Sequence, residues 1–92
     1  MDNAKRLVFK ECENVADFWG PKMPLMAAEE LAELTVSISK IERCQDDESY
    51  RNLVDEMGDV LISVMALVHR YNINPCDLDM RIRNKLLQKK EV

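Results

Sequence analysis

An all-α fold of four helices is what this 92-residue chain predicts, on three observations. Apolar residues recur every three or four positions along most of the chain, and no stretch alternates with the period of a strand. Glycine occurs only twice, and Gly20, Pro21 and Pro75 fall at gaps between the periodic stretches. Hydrophobic residues make up 47% of the sequence, more than thin helices of this length hide in one subunit. The expected architecture is therefore a single domain spanning 1–92, a four-helix bundle completed by oligomerisation.

The first helix is predicted over 2–17, where Leu7, Val8, Cys12, Val15 and Ala16 form one stripe; Phe18-Trp19-Gly20-Pro21 ends it. The second is predicted over 24–43. Pro24 suits its first turn, and Leu31, Leu34, Thr35, Ile38 and Ile41 recur at helical spacing. A polar turn follows, in which Asp46 or Asp47 caps the next helix. The third, over 49–71, carries Leu53, Val54, Met57, Val60, Leu61, Val64, Met65, Leu67 and Val68 on more than one side, which places it centrally. Asn72-Ile73-Asn74-Pro75 breaks the pattern. Asn74 as cap and Pro75 at the first position open the fourth helix, with Asp77–Arg81 and Asp79–Arg83 spaced to pair.

Composition excludes several classes of function. A net charge of −4 argues against binding a nucleic acid polymer, which calls for a basic surface. The cluster Arg81, Arg83, Lys85, Lys89 and Lys90 is the exception, and it reads either as a solvated helix end or as a phosphate grip. Cys12, Cys44 and Cys76 lie far apart without a C-x-x-C, so neither a zinc site nor a disulfide framework is indicated, and free thiols suit the cytoplasm. The longest apolar run, 60–68, is too short for a membrane span, and no signal peptide is expected at the N-terminus.

The informative residues are acidic. Glu29-Glu30-Leu31-Ala32-Glu33 lies in the second helix and Glu56-Met57-Gly58-Asp59 in the third. Glu30 and Glu33 share a helix face, as do Glu56 and Asp59. An ordinary solvated acidic face places Lys or Arg three or four residues away. None of these five acids has one there; each pair meets another acid instead. A short turn makes the two helices antiparallel. Glu33 lies about 12 residues before the turn and Asp59 about 11 after it, or roughly 18 and 16 Å at helical rise, so the pairs are level. Four carboxylates brought together stay ionised only around a cation, and an all-oxygen site suits Mg²⁺ or Mn²⁺. Gly58 leaves room beside them for another helix or a ligand, at a mid-helix cost of about 1 kcal/mol. His69, the only histidine, has no ligand partner at the right spacing and reads as structural or solvent-exposed.

This pattern resembles the MazG-like nucleoside triphosphate pyrophosphohydrolases, an all-α superfamily whose motif is E-E-x-x-E, a spacer, then E-x-x-D. Here the spacer is 22 residues, and Trp19-Gly20 before the second helix matches a common family feature. The likeness covers roughly residues 15–85. It implies Mg²⁺ or Mn²⁺ on Glu30, Glu33, Glu56 and Asp59, with Glu29 orienting or deprotonating the attacking water. It implies a nucleoside triphosphate cut between the α and β phosphates, gripped by Arg81, Asn84 and Lys85, in a homodimer or homotetramer. The chain departs from the family in having Asn84 and Lys85 adjacent, and Pro24 where a Gln is often found. Trp19 reads either as a base-stacking ring or as a wedge between helices. A non-catalytic helical oligomer, regulatory or nucleotide-binding, is the competing reading.

Overall fold

The structure, a computed structural model, describes residues 3–90, and the side chains of 10–89. Every element among them is helical: α1 (Asn3–Trp19), a 3₁₀ turn (Gly20–Lys22), α2 (Met23–Arg43), α3 (Asp47–Arg70) and α4 (Pro75–Lys90). No described helix is long and apolar enough to cross a membrane. The expected start of the first helix at Asp2, and the side chains of Leu7, Val8 and Lys90, lie outside what is described.

Local chemistry sets the helix ends. α1 runs two residues past its expected end because Phe18 and Trp19 remain helical until Gly20, whose φ of +58° favours a residue without a β-carbon. The tight turn that follows returns the Met23 N–H to the Gly20 carbonyl, and Pro24 sits inside the first turn of α2. Asp46 is the cap of α3, and its carboxylate accepts from the Ser49 N–H at 2.7 Å. α3 closes on Asn72 with φ +52°: the Ile73 N–H reaches back to the Val68 carbonyl at 2.9 Å and the Asn72 N–H to the His69 carbonyl at 3.2 Å. Asn74 then caps α4, its side chain accepting from the Cys76 N–H at 2.9 Å.

α3 is central, as its many-sided apolar pattern predicts, with α2 packed along it and α1 against its C-terminal half. The core is small. Ala16, Met23, Ala27 and Ala66 are buried together, with Trp19 and Leu67 packed on them. Met23, fully buried, is the one large side chain at its centre. Truncating it leaves a cavity among alanines that have no bulk to fill it. Met23→Ala is therefore expected to cost about 2–5 kcal/mol, read as a lowered midpoint in urea at unchanged slope.

α4 stands apart: it makes no comparable packing with any other helix, and only Leu78 is half-buried along it. Its apolar residues explain this. Leu78, Ile82 and Leu86 form one row and Cys76, Met80 and Leu87 another on roughly the opposite side, so no single face seeks the bundle. Of its two expected ion pairs, Arg83–Asp79 forms at 2.8 Å. Asp77–Arg81 is not among the ion pairs of the described residues, since an exposed pair gains little by holding two side chains in place. The packed unit within one chain is thus α1, α2 and α3.

Candidate metal centre

Antiparallel packing of α2 on α3 sets the acidic segments side by side. Glu30 and Glu33 come from the middle of α2, Glu56 from the middle of α3. Each offers a carboxylate oxygen, and these three oxygens lie within 4.8 Å of one another. Glu30 and Glu56 are half-buried at the helix interface, while Glu33 is exposed above them. One oxygen of Glu30 and one of Glu56 are shielded from solvent and have no hydrogen-bond partner. Ser63 Oγ, one turn beyond Asp59, is likewise buried and unpartnered.

The electrostatics follow from that geometry. Burial at the interface pushes the Glu30 carboxyl above the usual carboxylate range, and the charges of Glu33, Asp59 and Glu56 push it further. Glu56 is raised for the same reasons: burial first, then Glu33, Asp59 and Asp55. Glu33 stands within hydrogen-bonding reach of both. Repulsion between carboxylates this close is relieved by a proton or a cation between them. The three oxygens are so placed that together they could hold a metal ion.

The remaining site residues are placed as follows. Asp59 is exposed; its charge acts on Glu30 and Glu56, but it does not join the three oxygens that converge. Glu29 is exposed on α2, one turn before Glu33 on the same side. Trp19 ends α1 partly buried against the alanine core, in the position of a wedge between helices. Arg81, Asn84 and Lys85 are exposed on α4, which packs on neither acidic helix, so one chain does not bring them to the acids.

A contact 52 residues apart in sequence was not foreseeable from spacing: His69 Nε2 lies 3.1 Å from Asp17 Oδ1 and ties α3 to the end of α1. The lone histidine thus makes a contact between two helices. Beside it, Arg70 donates to the Gly20 carbonyl at 3.5 Å. Two shallow clefts of about 260 and 310 Å³ flank His69; neither is lined by the clustered acids.

Comparison with protein families, with curated proteins and with solved structures finds no match to this chain.

Proposed function

We propose that the chain is a Mg²⁺-dependent nucleotide pyrophosphohydrolase that cleaves a nucleoside triphosphate between the α and β phosphates, giving a nucleoside monophosphate and pyrophosphate. The observation that carries this reading is the convergence of Glu30, Glu33 and Glu56 with two solvent-shielded oxygens left unpartnered. Unsatisfied buried carboxylate oxygens are costly, and a hard divalent ion is the partner that an all-oxygen set suits. The paired motifs Glu29-Glu30-Leu31-Ala32-Glu33 and Glu56-Met57-Gly58-Asp59 supply the link to triphosphate chemistry.

In this reading Glu30, Glu33 and Glu56 hold the ion, and Asp59, one turn from Glu56, completes its ligands. What Mg²⁺ or Mn²⁺ supplies when bound is neutralisation of phosphate charge and acidification of a water. Glu29, exposed beside Glu33, takes the proton of the water that attacks the phosphoanhydride. Arg81 and Lys85, four apart on one side of α4, and Asn84 beside them grip the phosphates once α4 is brought over the acids. That closure belongs to a four-helix bundle completed by oligomerisation in the cytoplasm, as a dimer or tetramer. Trp19, partly buried at the end of α1, is the candidate to stack on the base.

The test is a panel of nucleoside triphosphates incubated with Mg²⁺, with pyrophosphate and orthophosphate measured separately. Pyrophosphate and monophosphate in equal amounts are expected. Orthophosphate release would overturn the cut between the α and β phosphates, and no turnover of any nucleotide would favour the non-catalytic helical oligomer, the reading to which the exposed apolar faces also lend support.

A further inference from the structure

The stripe that α3 turns to α2 runs Glu56, Val60, Ser63 and Leu67, at spacings of four, three and four. Ser63, 1% exposed, is the most buried of the four. A buried serine inside a helix can satisfy its hydroxyl on the carbonyl four residues back. The Ser63 hydroxyl does not, and its oxygen is shielded from solvent without a hydrogen-bond partner. Burying a hydroxyl unpaired is costly, and alanine, which serves at Ala16, Ala27 and Ala66 nearby, would fill the same space without that cost. Register sets this hydroxyl beside one acid in particular. Met23 and Ala27 of α2 cluster with Ala66 of α3, while Glu33 stands within reach of Glu56. Between those levels, Ser63 falls opposite about residue 27 of α2, roughly 4.5 Å along the axis from Glu30 and roughly 10 Å from Glu56 on its own helix. Side chains lean toward the N-terminus of their helix, so in antiparallel helices Glu30 leans toward Ser63 and Glu56 away from it. One oxygen of Glu30 is itself shielded and unpartnered.

We propose that Ser63 is a positioning residue of the metal centre: its hydroxyl donates to the shielded oxygen of Glu30, so that this carboxylate turns its other oxygen to the ion. The proposal rests on the reading of the acids as a divalent-metal site. A carboxylate that ligates through one oxygen is oriented by a donor on the other, and such outer partners set the affinity of the site. Glu30 has no Lys or Arg three or four residues away to fill that place. Ser63 fills it with the one buried side-chain hydroxyl that lacks a partner among the described residues. The torsions involved are soft, since the last torsion of a glutamate is broad and a hydroxyl hydrogen rotates to suit. One bond would then satisfy two of the unpartnered atoms at this interface, the Glu30 oxygen and Ser63 Oγ.

Mn²⁺ binding and stability in chelator test this together, and neither requires turnover. Ser63→Ala is expected to weaken Mn²⁺ binding roughly 10-fold, the loss typical of a group that orients a ligand. In chelator the same variant is expected to melt no lower than the wild type, because a methyl group suits the buried position. The effect on Mn²⁺ is expected to depend on Glu30 alone. In a Glu30→Met background, which removes both carboxylate oxygens, Ser63→Ala should change binding less than about 2-fold; in a Glu33→Gln background the full loss of roughly 10-fold should persist. Mn²⁺ taken up equally by the wild type and Ser63→Ala overturns the role of Ser63 and leaves the metal centre standing. A loss of the same size with and without the Glu30 carboxylate also overturns it, marking Ser63 as a packing residue. No uptake by the wild type overturns the metal centre, and the role of Ser63 with it.

Discussion

Glu33→Gln is expected to lower turnover on the order of 10²–10³-fold and to leave the protein folded. Glu33 is exposed, so its side chain supports no core packing. It is also the acid that faces both Glu30 and Glu56. Replacing one charged ligand by a neutral amide weakens the hold on the ion and the neutralisation of phosphate charge. Metal assistance is worth several kcal/mol, and a loss of about 3–4 kcal/mol corresponds to that range of rate. The same change relieves like-charge crowding. The metal-free variant should melt no lower than the wild type, with Glu30 and Glu56 titrating nearer to ordinary carboxylates. Burial still raises both, so their shifts shrink without vanishing. Steady-state kinetics with Mg²⁺, a thermal melt in chelator and Asp59→Asn as a companion variant check the three parts. Nearly full activity in both variants would sink the assignment.

The second large effect is stabilisation by metal. An ion that binds only the folded chain, at ten times its dissociation constant, adds about 1.4 kcal/mol. For a domain of this size that raises the melting temperature by roughly 6–11 °C. The effect depends on pH in a direction fixed by Glu30 and Glu56. Both hold protons more tightly in the folded than in the unfolded chain. Without metal, their contribution to stability is therefore greatest at low pH and falls as pH rises through their raised folded values. The metal competes with those protons, so its stabilisation grows over the same interval and is complete above it. Asp46 acts in the opposite sense. Hydrogen bonds from the Ser49 N–H and then the Cys44 thiol hold its carboxyl below the usual range, so its stabilisation of α3 is lost as pH falls through that lowered value. Melts with and without Mg²⁺ across pH 4–8 separate the two. A shift that does not change with pH would place the metal away from these carboxylates.

How far the sequence carried the fold varies by element, for physical reasons. Helix ends were legible wherever a residue has one local job. Asp46 and Asn74 cap through their side chains and Gly20 breaks the helix through its positive φ, and the error at α1 is two residues of propagation before Gly20 acts. The level of the acids was legible because helical rise is constant, and Glu33 and Glu56 do come together. Rotation was not. Residues three apart sit about 60° from each other on the helix, so Glu56 turns into the α2 interface while Asp59 stays at its rim. α4 shows another limit. Its cap is local and predictable, but its docking is not, because two opposed apolar rows leave nothing to choose between faces. The bond from His69 to Asp17 joins residues whose own neighbours carry no sign of it.

Binding of Mn²⁺ followed by electron paramagnetic resonance, with wild type and Glu33→Gln side by side, addresses the metal centre most directly. It requires neither the right nucleotide nor a particular assembly. The wild type is expected to take up Mn²⁺ at sub-millimolar concentrations, to lose it to excess Mg²⁺ and to bind it more weakly as pH falls through the raised Glu30 and Glu56 values. Glu33→Gln is expected to bind at least ~10-fold more weakly, as removal of a charged ligand dictates. Equal binding by the two proteins, or none by the wild type at several times these concentrations, would contradict a metal centre at Glu30, Glu33 and Glu56.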